Sequence, residues 1–218
     1  MLVSVFAKTT RDRWKGMLIG IVSLSILLWM VMAVYQDIDI SAYSELPEVF
    51  LSIMGIPEGA DVASLAVGVM YGFYGALTLA GLAVSMGSAS VAGEERDGTI
   101  GLLLGNPKSR TNVLVSKAAS MLLLVGLGAL ALWGAAPLIA GILDVRMGGM
   151  QIGAYALHLF ANAIFYGFLA MAIGAWTGKR GLASGVSAGI MALGFVAVGI
   201  FPIIEGWENV AKVFPWHY

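Results

Sequence analysis

Charge is scarce in this chain. Asp, Glu, Lys and Arg make up 11% of its 218 residues, less than half of the ~25% typical of a soluble domain. The few charges are also segregated, leaving 16–35, 62–93, 118–143, 147–178 and 181–204 without any. A hydrocarbon core ~30 Å thick is crossed by ~20 helical residues at ~1.5 Å each, and all five runs reach that length. Cysteine is absent, which excludes disulfides, thiol catalysis and thiolate metal sites. Period-two alternation is missing from the apolar runs, which excludes a β-barrel. A net charge of −1 with 59% hydrophobic residues excludes a disordered chain and a nucleic-acid binder. The first run is not a cleaved signal peptide, because it is too long and no small-residue cleavage pattern precedes Gln36.

These runs predict an all-α integral membrane protein with five transmembrane helices, at about 17–35, 64–91, 118–143, 152–176 and 182–203. Lys and Arg set the orientation. With the N-terminus in the cytoplasm, the inner segments hold Lys8, Arg11, Arg13, Lys15, Arg96, Lys108, Arg110, Lys117, Lys179 and Arg180, and the outer ones only Arg146 and Lys212. Five spans then leave Trp216, His217 and Tyr218 outside with no closing basic cluster, so a sixth, returning helix is expected beyond a single domain spanning 1–218. The first sixteen residues are predicted to form an interfacial helix, with Val3, Phe6, Ala7, Thr10 and Trp14 on one side and Lys8, Arg11, Asp12 and Lys15 on the other. The outer loop 37–61 is acidic and carries no basic residue; 46–55 within it reads as a short helix with Pro47 near its start and Gly55 at its end.

Little in the spans looks catalytic. His158 is the only side chain inside a span that titrates near neutral pH, whereas ion-coupled carriers usually embed ionisable groups. Gly174–Arg180 fails as a phosphate-binding loop, being one residue short between its glycines and having Arg180 where Ser or Thr is required. Gly185-Val186-Ser187-Ala188-Gly189 matches the nucleophile-elbow pattern, but that motif needs a strand-turn-helix setting. His158 and Ser187 are also expected to differ in depth by roughly 15 Å, far beyond contact between a nucleophile and its base. Gly185/Gly189, Gly16/Gly20 and Gly68/Gly72 read instead as small-xxx-small packing pairs. Two polar stripes, Tyr71, Tyr74, Thr78 and Ser85 in the second span and Tyr155, His158, Asn162 and Tyr166 in the fourth, turn away from lipid. Interhelical hydrogen bonding and the lining of a substrate path are both open to them. Trp14, Trp176, Trp207 and Trp216 read as interface anchors, and Pro137 should kink the third span.

The loop between spans two and three carries the most information. Glu94-Glu95-Arg96-Asp97-Gly98-Thr99 leads into Ile100, Leu102, Leu103 and Leu104, followed by Gly105-Asn106-Pro107 and by Ser109 as an expected N-cap. An apolar run bordered by charges at a membrane surface calls for a cover, although leucines dipping into the interface would also satisfy it. Glu94-Glu95, Gly98-Thr99, Leu102-Leu103-Leu104, Pro107-Lys108-Ser109-Arg110 and Lys117, in that order and position, resemble the loop of ABC-2 type transporter permeases. Tyr43-Ser44-Glu45-Leu46-Pro47-Glu48 and the span pattern extend the likeness along nearly the whole chain. Gly101 departs from it, standing where the family more often has a polar, helix-favouring residue.

The resemblance implies a permease half without an ATPase site of its own, working with a second permease half, identical or not, and with cytoplasmic ABC ATPase subunits. ATP and Mg would be held by those subunits and no cofactor by this chain. It implies that the 94–110 loop is a coupling helix, with Glu94, Glu95, Arg96, Gly98, Thr99, Leu102 and Leu103 as the ATPase-docking surface. The expected activity is export of a hydrophobic or amphipathic small molecule, such as an antibiotic or lipid, across the plasma (inner) membrane. The alternative is a non-transporting scaffold or sensor subunit that holds a cytoplasmic partner through the same loop.

Overall fold

The computed structural model describes residues 2–36, 61–90, 92, 110–147, 151–204 and 206–217. Five helical passes are long and apolar enough to cross a membrane. The first is α1, Leu2–Tyr35. The second is built from α2, Val62–Val67, a π-helical stretch, Gly68–Gly75, and α3, Ala76–Ser88. The third, fourth and fifth are α4, Arg110–Ile142, α5, Ile152–Thr177, and α6, Arg180–Ile200. A 3-10 turn, Phe201–Ile203, a short α7, Glu208–Ala211, and a 3-10 turn, Pro215–His217, follow. The loops 37–60 and 93–109 lie outside the described residues, as does the expected Ser109 cap.

α5 is the hub. Its largest interface is with α3, and it also packs on α4 and α6, while α1 lies chiefly along α4. The first and fifth passes are the least enclosed by the rest of the protein and the second is the most enclosed. Large apolar side chains such as Ile19, Leu130, Leu138, Leu157 and Leu193 point outward, the arrangement expected where lipid replaces water as the solvent. Inside, small residues bring the backbones together. A Cβ on Gly87 would fall 2.0 Å from the Gly167 carbonyl oxygen, and one on Gly167 would fall 2.8 Å from the Met121 sulfur, so α3, α4 and α5 converge on a glycine contact. Tyr71 donates its hydroxyl to the Leu132 carbonyl (2.6 Å), tying the second pass to α4.

Several expectations need correction. Residues 2–16 are helical, but they continue straight into the first span. No proline interrupts α1, and its 34 residues make ~51 Å of helix, well beyond a ~30 Å core. The predicted faces are present in part: Lys8, Arg11, Asp12 and Lys15 are exposed, and on the other side Phe6 and Thr10 are half-buried but Ala7 and Trp14 are exposed. The second face packs on protein, with the Thr10 and Ser120 hydroxyls 2.8 Å apart. The small pairs are met only in part. Gly16, Gly185 and Gly189 have no described atom within 4 Å of an added Cβ, whereas Gly20 packs tightly on α3, its added Cβ falling 2.9 Å from Leu82; Gly87, Gly167 and Gly194, outside the expected pairs, make contacts as close or closer. Trp216 is buried, with its ring 5.3 Å from that of Phe195, whereas Trp14, Trp176 and Trp207 are exposed as anchors would be. The C-terminal segment thus folds back onto α6, where Phe214 and Trp216 crowd Gly194.

Candidate functional site

The described residues that flank the 93–109 loop emerge at one end of the bundle. This end, which also carries residues 2–16 and the α5–α6 turn, is called the basic end below. Its stems are tied together. Lys117 of α4 is buried, and its Nζ donates to the Ser90 carbonyl at 2.6 Å, while the Ser90 hydroxyl donates to the Gly87 carbonyl at 2.6 Å. An ammonium group is tolerated at low exposure only with such acceptors, so Lys117 staples the start of the third pass to the end of the second. Glu94, Glu95, Arg96, Gly98, Thr99, Leu102 and Leu103, the residues expected to dock an ATPase, lie outside the described residues. The α5–α6 turn at this end is two residues long. Gly178 takes φ 65°, a left-handed conformation suited to glycine, and returns its N–H to the Gly174 carbonyl.

The two polar stripes do not converge on one path. In the second pass the π-helical stretch Gly68–Gly75 advances by less per residue than an α-helix, so Tyr71 and Tyr74 lose register with Thr78 and Ser85. Tyr71 is buried against α4, and Tyr74 is 45% exposed with its ring edge-on to Phe73. Thr78 lies against α1 at Gly20. In α5, Tyr155 and His158 are half-buried. Asn162 and Tyr166 are buried, and neither the Asn162 amide nor the Tyr166 hydroxyl has a hydrogen-bond partner of normal geometry among the described residues. The Tyr166 oxygen is held 2.9 Å from where a Cβ on Gly194 would sit.

Ser85 is the one stripe residue that lines the described cleft. That cleft, of about 430 Å³, opens between α3 and α6 at the basic end, with Ser85, Ser88, Ser184 and Arg180 around it and Gly81 and Gly185 on its walls. Burial and, after it, the like charge of Arg180 both work against the charge of Arg13 on α1, with Asp12 offsetting part of that penalty. Arg180 and Lys117 carried only topological and motif signals in the sequence. Their site roles depend on which helices meet, which a continuous apolar pattern does not encode. The elbow-like segment Gly185–Gly189 lies within unbroken α6, without the strand-to-helix turn such a nucleophile needs.

A family model described as ABC-2 family transporter protein matches residues 3–213 of the chain. No curated protein and no solved structure gives a significant match.

Proposed function

Since the chain belongs to the ABC-2 transporter family, we propose that it is the permease half of an exporter that moves a hydrophobic or amphipathic small molecule out across the plasma membrane. Family membership makes it a multi-pass membrane permease of an ABC transporter, with an ATP-binding component as partner. The finer reading adds a second permease half, identical or not. It places ATP and Mg in the partner, no cofactor on this chain, and the N-terminus and basic end in the cytoplasm.

The observation that carries this reading is the family match from residue 3 to residue 213, which runs through all five passes. The basic end supports it physically. Lys8, Arg11, Arg13, Lys15, Lys117, Lys179 and Arg180 gather there, as expected of the cytoplasmic side. The Lys117 staple joins the two stems of the loop, so a push on that loop would be passed to the α3–α5 interface rather than lost in fraying helix ends. In the proposed mechanism Leu102 and Leu103 seat in an apolar pocket of the ATPase, and Glu94, Glu95 and Arg96 set the register at the rim, with Gly98 and Thr99 completing the contact. Nucleotide-driven closure of the ATPases then rocks the passes. Exchanging both leucines for aspartate (Leu102→Asp with Leu103→Asp) should abolish co-purification of the ATPase while membrane insertion is retained. Undiminished co-purification would refute the docking assignment.

A further inference from the structure

The cleft between α3 and α6 changes character with depth. Both helices run through the basic end, α3 ending there at Ser88 and α6 beginning there at Arg180. Counting inward at ~1.5 Å per residue, Ser88, Ser85, Arg180 and Ser184 all fall within the first ~6 Å. Val84 lies at the same depth as Ser184, and beyond them the lining is Gly81, Gly185, Ala188 and Met191, the last about 16 Å from Arg180. The mouth therefore offers a guanidinium and the Ser85 hydroxyl, the Ser88 and Ser184 hydroxyls donating to the Ser85 and Gly181 carbonyls of their own helices, and the interior offers only apolar surface.

Two further features point to an oxyanion at the mouth. Arg180 lies in the repulsive field of Arg13, a charge arrangement that an anion between or beside them relieves. Guanidinium groups present paired donors that match the oxygens of phosphate and carboxylate. The walls are also left open by small residues: an added Cβ on Gly81 or on Gly185 meets no described atom within 4 Å. A chain of methylene groups suits such a groove, whose one charged lining residue, Arg180, lies at the basic end.

We propose that this cleft binds an amphiphile with an oxyanion head, the head on Arg180 and the Ser85 hydroxyl and the tail along Gly81, Gly185 and Ala188 toward Met191. The proposal deepens the permease reading by naming a substrate class, but binding itself is measured on this chain alone and involves no ATPase. Failure of the Leu102/Leu103 test would leave the binding result standing, and the converse also holds.

The test uses the full chain in nanodiscs of phosphatidylcholine, titrated calorimetrically with dodecyl phosphate against empty discs. Saturable binding in excess of the empty discs is expected, with neutral dodecyl maltoside and inorganic phosphate both binding much more weakly. Arg180→Gln should weaken binding about tenfold or more, the loss expected when a charge-assisted hydrogen bond is removed, and Arg180→Lys should restore part of it. Gly185→Leu should block the cleft without disturbing the fold, because that position faces open space. Adding phosphatidylglycerol to the discs distinguishes the sources. Competition that disappears in Arg180→Gln identifies a lipid headgroup as the occupant, and unaltered binding identifies a non-lipid amphiphile. Equal binding of dodecyl maltoside, binding of inorganic phosphate as tight as that of dodecyl phosphate, or wild-type affinity in both Arg180→Gln and Gly185→Leu would overturn the proposal.

Discussion

Asn162 is 1% exposed, and both its amide nitrogen and its amide oxygen lack a hydrogen-bond partner among the described residues. An unpaired amide away from water costs free energy, whereas an apolar side chain of similar shape does not. Asn162→Leu should therefore raise the stability of the purified chain by about 1–2 kcal/mol, read as a higher apparent melting temperature in detergent. A clear drop in that temperature would mean that the amide is paired in the membrane-embedded protein. At this scale the sequence was only partly legible. The fourth span's polar stripe is a sound reading of period 3.6, and it correctly turns Asn162 and Tyr166 away from lipid. It cannot separate a residue that lines a path from one that is packed shut. The difference lies in what faces it: for Tyr166 that is Gly194 on α6 and the folded-back segment bearing Trp216, both remote in sequence.

The number and placing of the five passes were the most legible feature, because span length is dictated by the thickness of a hydrocarbon layer; the starts of α1 and α4 were not, since both helices run on through the charges that mark the apolar borders. Two features of the elements were hidden. The π-helical Gly68–Gly75 has no distinguishing composition, and it rotates the Tyr71 side of the second pass away from the Ser85 side. Most of the contact glycines were hidden too, Gly20 against Leu82 and Thr78 being the exception. The chain has 29 glycines, so many pairs fall four apart by chance, and only tertiary structure selects those that touch. Gly87 is selected most sharply, since its added Cβ would sit 2.0 Å from the Gly167 carbonyl oxygen. That neighbour is backbone and cannot swing aside, so α3 and α5 would have to separate. Gly87→Ala should destabilise the chain by about 1–3 kcal/mol, the usual cost of overpacking. Gly185→Ala, facing open space, should leave stability unchanged or slightly raised through better helix propensity. Thermal unfolding of the two variants side by side checks the contrast, and equal behaviour would mean that the α3–α5 crossing is looser than described.

The whole molecule is polarised. One end gathers the lysines and arginines of α1, α4 and the α5–α6 turn, the stems of the 93–109 loop and the mouth of the amphipathic cleft; the other carries Asp61, Asp144 and the C-terminal fold-back. Neighbour relations, such as α5 as the hub and α1 along α4, were not legible, because continuously apolar helices carry no period that singles out a partner. The end-to-end asymmetry was legible, because insertion reads the distribution of Lys and Arg rather than the packing. If the basic end faces the cytoplasm, the cleft opens toward the compartment that holds ATP, and the loop stapled by Lys117 lies within reach of an ATPase. The absence of native cysteine allows this to be tested without background. In intact cells a membrane-impermeant maleimide should label Ser44→Cys in the acidic loop and spare Ser109→Cys at the stem of the docking loop. After permeabilisation both should react. Labelling of Ser109→Cys in intact cells would invert the molecule, placing the loop and the cleft mouth on the side without nucleotide. An ATPase could then not drive the passes through that loop, and the family assignment would survive only with a different route of coupling.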